Sequence, residues 1–572
     1  MEFSALKFKD ILYRRPELEP LKQQYASLTQ QLKAAESYAA AKAVFLEKDK
    51  LDRRVQTQAT LAEVRHSIDT RDAFYDAESD FWDASAPELE ACDNAWLTVL
   101  LESPYKEEFQ AEFGEVVFLN AALQRKAFSP EIIPLMQQEN ELSSAYDKLI
   151  ASAQIDFNGN TYTLAQLGVF KTDADDATRL AAWKAEGQWY KANQPELDRI
   201  YDELVHLRDQ MAKKLGYENF VPVGYFRMER NCYGAEDVAR FSEAVRQYVV
   251  PVAESIYREQ AKRLGVEYPL SFADAALMFR SGNPKPQGTA QDILEAGRRF
   301  YNALSPETGK FFNGMLENEM LDVLSTEGKQ AGGYCTSLHD YHTPFIFANF
   351  NGTASDVETV THEAGHAFAD WYNNERVPLA CIWPSLEGCE VHSMSMEFFA
   401  WRAAEDFFGA DAEKFKYSHL ASSLCFIPYG TMVDRFQHIV YENPDFTPAQ
   451  RHAAWKELLG IYMPWLRLDG DIPVYADGEG WQRQLHIYGM PFYDIDYCLA
   501  QTVALSFWAK IQENPQQAWR YYMAYTEQGG SAVFTKLLEN AGLESPFEAA
   551  TLQGVCARAA QWLDAFDLTG IR

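Results

Sequence analysis

SDVETVTHEAGHAFADWY, Ser355 to Tyr372, reads as a helix that carries two histidines four residues apart. Ser355 and Glu358 have the S-x-x-E spacing of a capping box, which predicts that the helix starts there. Val357, Val360, Ala364, Ala367, Phe368 and Trp371 then recur at helical intervals, so His362 and His366 share one face. Two imidazoles on one face can chelate a zinc ion. Glu363, one step round, is placed to reach a water on such an ion and act as general base, the mechanical content of H-E-x-x-H. The competing reading is a pair of histidines on an amphipathic helix with no ion between them.

A tetrahedral catalytic zinc needs a third protein ligand. A third histidine in the metzincin arrangement would require Gly at 369 and His at 372, where this chain has Ala369 and Tyr372, which excludes that class. The next candidate is Glu390 in GCEVHSMSMEFFAW, where Glu390, Ser393, Met394 and Glu397 recur at helical spacing after a Pro384–Gly388 turn. A second helix can thus bring Glu390 to the ion. His392, two residues on, lies off that face. Gly365 supports the pairing of two helices, because glycine inside a helix costs about 1 kcal/mol against alanine and marks a close approach. Glu397 is the first candidate to hold an imidazole N–H from behind, ahead of Glu358 and Asp370.

Before this helix, GKQAGGYCT (Gly328 to Thr336) is a glycine-rich turn, and PFIFANF (Pro344 to Phe350) is an apolar run of strand length ending at Asn351-Gly352. A strand with an open edge beside the ion could pair with an extended peptide, which would make Phe347, Ala348 and Asn349 substrate-binding. An interior strand of a small sheet is the alternative.

Farther out, Pro16 to about Arg125 is nearly continuous helix by pattern, with a coiled-coil-like stretch that predicts a long hairpin or bundle. QIDFNGNTYTL turns on Asn158-Gly159 as a tight β-hairpin. Helix resumes near Asp173–Asp176 and runs to a cap at Gly216. Pro251 predicts a kink or break, and Asn283-Pro284-Lys285-Pro286 a surface loop. The expected division is a helical region over 1–195 and a catalytic helical region over 196–572.

Composition narrows the function. Fifty-two basic against 83 acidic residues give a net charge of −31, which argues against nucleic acid and anionic membranes as partners. The eight cysteines form no C-x-x-C pair, the pattern of free thiols in a reducing compartment. The first twenty residues have no apolar signal core, and no run of eighteen apolar residues occurs; the expectation is a cytoplasmic protein.

His362-Glu363-Ala364-Gly365-His366 followed by Glu390 in E-V-H-S-M-S-M-E resembles the thimet oligopeptidase family of zinc metallopeptidases, and most of all its oligoendopeptidase F and Pz-peptidase branch. The resemblance carries specific motifs from about Gly328 to Ala504. It implies a mainly α fold, a zincin-like helical ellipsoid with a small β-sheet beside the active-site helix and a deep substrate channel between two halves. It implies one zinc ion per chain, oligopeptide substrates cut at internal bonds, and a late histidine and tyrosines facing the ion, which LHIYGMPFYDIDYCLAQ supplies as His486, Tyr493 and Tyr497. Ala500 stands where mammalian members carry a further tyrosine. Two rivals remain at this point: a carboxypeptidase or dipeptidyl carboxypeptidase on the same scaffold, which would need a cation for the substrate's C-terminus, and a non-catalytic peptide-binding protein.

Overall fold

Apolar periodicity of 3.6 dominates this sequence, and helices account for all of its regular structure except five short strands. The computed structural model describes residues 6–383, 385–468, 471–569 and 571; Pro384, which opens the turn expected before the Glu390 helix, lies outside them. Helices Leu18–Lys33, Tyr38–Ile68, Ala73–Leu101, Lys106–Phe113 and Val116–Ala127 occupy the stretch expected to be helical. The first three pack together, burying Leu32, Phe45, Trp96 and Leu100. Ser37 and Asp72 cap the second and third by accepting backbone N–H groups.

Strands β1 (Ile155–Phe157) and β2 (Asn160–Tyr162) form the expected hairpin, with Asn158 and Gly159 both at positive φ, as a type I′ turn requires. Asp175 then caps a helix that runs unbroken from Asp176 to Lys214 and ends at Gly216, φ +88°. The division expected at 195–196 therefore falls inside one helix. The regular helical spacing on both sides of Pro195 carries the chain across that point. At Pro251 the chain stays helical, and the irregularity takes the form of a π-turn, Val245–Val249, that feeds a helix Val250–Leu264 with the proline in its first turn.

Three further strands make one sheet: β3 (Leu321–Leu324), β4 (Tyr334–Leu338) and β5 (Thr343–Phe350), in the order β3-β5-β4. The apolar run read from the sequence is β5, parallel to β3 and antiparallel to β4. It is the interior strand, so both its edges are already paired. Phe347 and Ala348 are buried, and the Asn349 side-chain amide donates to the carbonyls of Gln330 and Gly332 at 2.8 and 2.9 Å. The placement of a peptide on Phe347, Ala348 and Asn349 is thereby corrected: the edge strands are β3 and β4.

The His362 helix spans Ser355–Asn374 and packs on β5 and on the Glu390 helix, Leu386–Phe399. The expected capping box is absent. The helix begins at Ser355 itself, with Ala354 as N-cap and no side-chain capping bond. The turn is closed instead by the Asp356 carboxylate, which accepts the N–H groups of Asn351 and Gly352 at 2.9 and 2.8 Å. At its far end the helix is tied to the N-terminal bundle, where Arg53 donates to the Asn374 side chain and to the Val377 carbonyl.

Gly365 has the close approach expected of it. A Cβ there would sit 2.6 Å from both the His392 carbonyl oxygen and the Ser393 Cα on the Glu390 helix. Those are backbone atoms and cannot swing aside. Gly365→Ala is expected to lower stability by about 1–3 kcal/mol in urea unfolding, overpacking outweighing the gain in helix propensity. A variant as stable as the parent would mean that the two helices are not locked together at this point.

Candidate metal centre

The two helices bring three donors to one point. His362 Nε2 and His366 Nε2 each lie 3.2 Å from Glu390 Oε2, and all three ligand atoms fall within 4.8 Å of one another. Donors about 2.0–2.1 Å from a tetrahedral zinc stand about 3.3 Å apart, so the spacing and the donor chemistry both fit that ion. Glu390 is 1% exposed. Burial alone would raise its carboxyl, but the two imidazoles hold it well below its ordinary range and keep it ionised. Ser393 donates to its Oε2 at 2.8 Å and the Tyr493 hydroxyl to its Oε1.

Behind His362 a relay of hydrogen bonds fixes the tautomer. The Trp401 indole N–H donates to His419 Nδ1 at 2.9 Å, which leaves His419 Nε2–H to donate to Glu397 Oε2 at 2.8 Å. Glu397 Oε1 accepts from His362 Nδ1 at 2.7 Å, freeing the His362 Nε2 lone pair for an ion. Glu397 thus has the position expected of it. Sequence reasoning missed His419 and Trp401: His419 lies on the Ala412–Glu442 helix, with no spacing that relates it to the motif. Asp370 does not hold an imidazole but accepts from Ser337 at 2.8 Å and from Asn374. His392 is turned away, packed against Tyr522 and Tyr525.

His362, His366 and Glu390 line a cavity of about 510 Å³. Residues Gly333 to Ser337, largely β4, line it, as does Glu363. Burial pushes the Glu363 carboxyl above its ordinary range while the two imidazoles pull it back. A Cβ on Gly333 would press on Thr359 Cγ2 at 3.1 Å and the Phe347 carbonyl oxygen at 3.3 Å, and would make ordinary contact with Glu363 Oε1 at 3.7 Å. Cys335, Cys389 and His339 also line the cavity, none of them signalled by a motif.

His486, Tyr493 and Tyr497 line the same cavity. The His486 ring centroid is 4.9 Å from that of Tyr493 and 5.6 Å from that of Tyr497, and the two tyrosine rings are 4.7 Å apart. Burial pushes His486 down to about 4, opposed by Glu390, so its imidazole is neutral near pH 7. Burial and then Glu390 push both tyrosines well up, so both keep their protons. This segment is clamped by buried side chains. Arg208 donates to the carbonyls of Ile487 and Tyr488, Arg230 donates to that of Phe492, and Gln437 accepts the Phe492 N–H at 2.9 Å. Phe492 is held at φ +71°, a conformation costly for a bulky residue and maintained only where the surroundings over-determine it.

A second cavity of about 440 Å³ adjoins the first, sharing Glu229, His339 and Trp383 with it and reaching into the N-terminal bundle at Phe45 and Trp96. All eight cysteines are free. No helix among the described residues is long and apolar enough to cross a membrane.

Comparison with known proteins converges on one family. The sequence model of the peptidase M3 N-terminal domain matches residues 8–128, and that of peptidase family M3 matches 169–275 and 299–555. An oligoendopeptidase F homolog of Borreliella burgdorferi is 24% identical over 423 residues, 69% of each chain. Among solved structures, Pz peptidase A with an inhibitor superposes with a TM-score of 0.96 at 42% identity, covering 98% of this chain and 100% of that one. A candidate oligoendopeptidase F from Bacillus anthracis str. Ames gives 0.93 at 41% identity, covering 99% and 100%.

Proposed function

Since the chain belongs to peptidase family M3 and is a peptidase, we propose that it is a zinc-dependent oligoendopeptidase cutting internal bonds of short peptides. The observation that carries this reading is the convergence of His362, His366 and Glu390 within 4.8 Å, with the Glu363 carboxylate on the same cavity. When bound, zinc supplies Lewis acidity that polarises a carbonyl and makes water acidic near neutral pH. His362, His366 and Glu390 would hold the ion, and Glu397 would orient His362.

Glu363 takes the proton of the attacking water and returns it to the leaving amine. As the carbonyl oxygen gains negative charge, the Tyr497 O–H and an N–H of neutral His486 are donors lining the same cavity, and the Tyr493 O–H joins them on turning from Glu390 Oε1; each aligned donor lowers the barrier by about 3 kcal/mol. The free edge of β4 pairs with the peptide main chain, which gives affinity with little demand on side chains. The adjoining interior cavities favour thin, extended chains over folded proteins. A cytoplasmic location belongs to the same reading, supported by the eight free thiols.

Mass spectrometry of products from peptides with both termini blocked tests this, with and without a chelator. Internal cuts that vanish with the chelator are expected. Cleavage that requires a free C-terminus would instead make the enzyme a carboxypeptidase, and cleavage unaffected by the chelator would remove the metal from the mechanism.

A further inference from the structure

The chemistry above leaves His339 unused. It opens the 3-10 turn His339–Tyr341 that joins β4 to β5. With Glu229 and Trp383 it is common to the metal cavity and to the second cavity, so these three residues mark where the two adjoin.

The turn is braced by one face of the Tyr38–Ile68 helix. Thr57 Oγ1 accepts the Asp340 N–H at 2.9 Å, and one turn earlier Arg53 donates to Asn374 Oδ1. A guanidinium can only donate, so it fixes which end of the Asn374 amide faces it. The Asp370 carboxylate accepts from the other end, 3.1 Å from Asn374 Nδ2. Asn374 Nδ2 therefore also faces His339 Nδ1, at 3.2 Å. A ring nitrogen that faces an N–H₂ group is the unprotonated one. Burial holds the ring below its ordinary range; Asp370 opposes this and Arg53 adds to it, so the imidazole is neutral near pH 7. Its single proton is on Nε2.

That Nε2–H makes no hydrogen bond among the described residues, yet it is not sealed off by protein. A donor held in one orientation on a cavity wall gains from a ligand that brings an acceptor. The acceptor that a peptide carries at every residue is its main-chain carbonyl. We propose that His339 Nε2–H binds a main-chain carbonyl of a peptide that reaches from the metal cavity to the second, with Asn374 as the positioning residue that sets the ring. This assignment rests on the oligopeptidase reading and deepens it. It gives the enzyme a contact that only peptides above a threshold length can make, and it leaves the side chains of the substrate unspecified.

Peptides blocked at both termini and lengthened one residue at a time, first at one end and then at the other, test it. In the native chain kcat/KM is expected to rise about three- to tenfold, carried by KM, at the length that first reaches His339. That rise should be absent in His339→Leu. It should persist in part in His339→Gln, whose side-chain amide also donates. Because each chain is compared with itself across lengths, partial misfolding lowers every rate and leaves the rise readable. The proposal is overturned if every rise seen in the native chain persists at the same size in His339→Leu, which would make the role of His339 structural. It is equally overturned if the native chain shows no rise at any length.

Failure of the oligopeptidase reading is distinguishable, since no peptide of any length would then be cut. Calorimetric titration of the same peptides into the zinc-loaded Glu363→Gln chain still decides the contact. A gain in affinity at one length, lost when His339→Leu is added, supports it. No gain, or a gain that survives the second substitution, overturns it.

Discussion

Glu363→Gln is expected to leave zinc bound and to lower kcat by about 10²- to 10⁴-fold, the range a positioned general base contributes. Glu363 is not among the three groups that converge on the ion position, so the amide should not alter metal content. It has the same shape as the carboxylate and fits the same space beside Gly333. What it lacks is the ability to accept a proton. Turnover of a quenched peptide, measured alongside zinc content, checks both halves. A variant that hydrolyses at the parental rate would show that Glu363 is not the base, and one that loses its metal would show that Glu363 contributes to holding it.

Glu390→Ala should act the other way and cost zinc affinity. Glu390 Oε2 is the point on which both imidazoles converge, at 3.2 Å each. Residues that merely orient a ligand cost 10- to 100-fold in affinity when replaced, so loss of the ligand itself is expected to exceed about 100-fold. The substitution also deprives the Ser393 and Tyr493 hydroxyls of the carboxylate that accepts from them, at a cost of up to about 1–3 kcal/mol for a donor left unsatisfied. Equilibrium dialysis against a competing chelator, with the melting temperature recorded in parallel, separates the two effects. Unchanged metal content would move the third ligand elsewhere.

Features of the site that depend on local spacing are legible in the sequence, and those that depend on contacts across the fold are not. The i, i+4 histidines and the glycine between two helices follow from helical geometry alone, and the structure brings His362, His366 and Glu390 together. The Ser355–Glu358 spacing misled because Asp356, one residue further in, closes the turn first. The β5 run looked the same whether interior or edge, since an apolar strand does not state which neighbours pair with it. The partners Tyr334–Leu338 and Leu321–Leu324 decide that, and neither has an apolar pattern strong enough to announce a strand. His419 is the clearest case: its place behind Glu397 depends on how the Ala412–Glu442 helix packs, which no spacing encodes.

The edge position of β4 has a consequence for the behaviour of the molecule in concentrated solution. An unpaired strand edge on a protein surface is a template on which further copies can add strands, and natural sheets commonly guard such edges with charges or proline. Tyr334-Cys335-Thr336-Ser337-Leu338 has neither. The strand packs against the Tyr38–Ile68 and Ser355–Asn374 helices and lines the cavity of the candidate metal centre instead. Enclosure thus does the work of gatekeeper residues, and it leaves the strand free of side chains that would otherwise have to protect the protein from aggregating with itself.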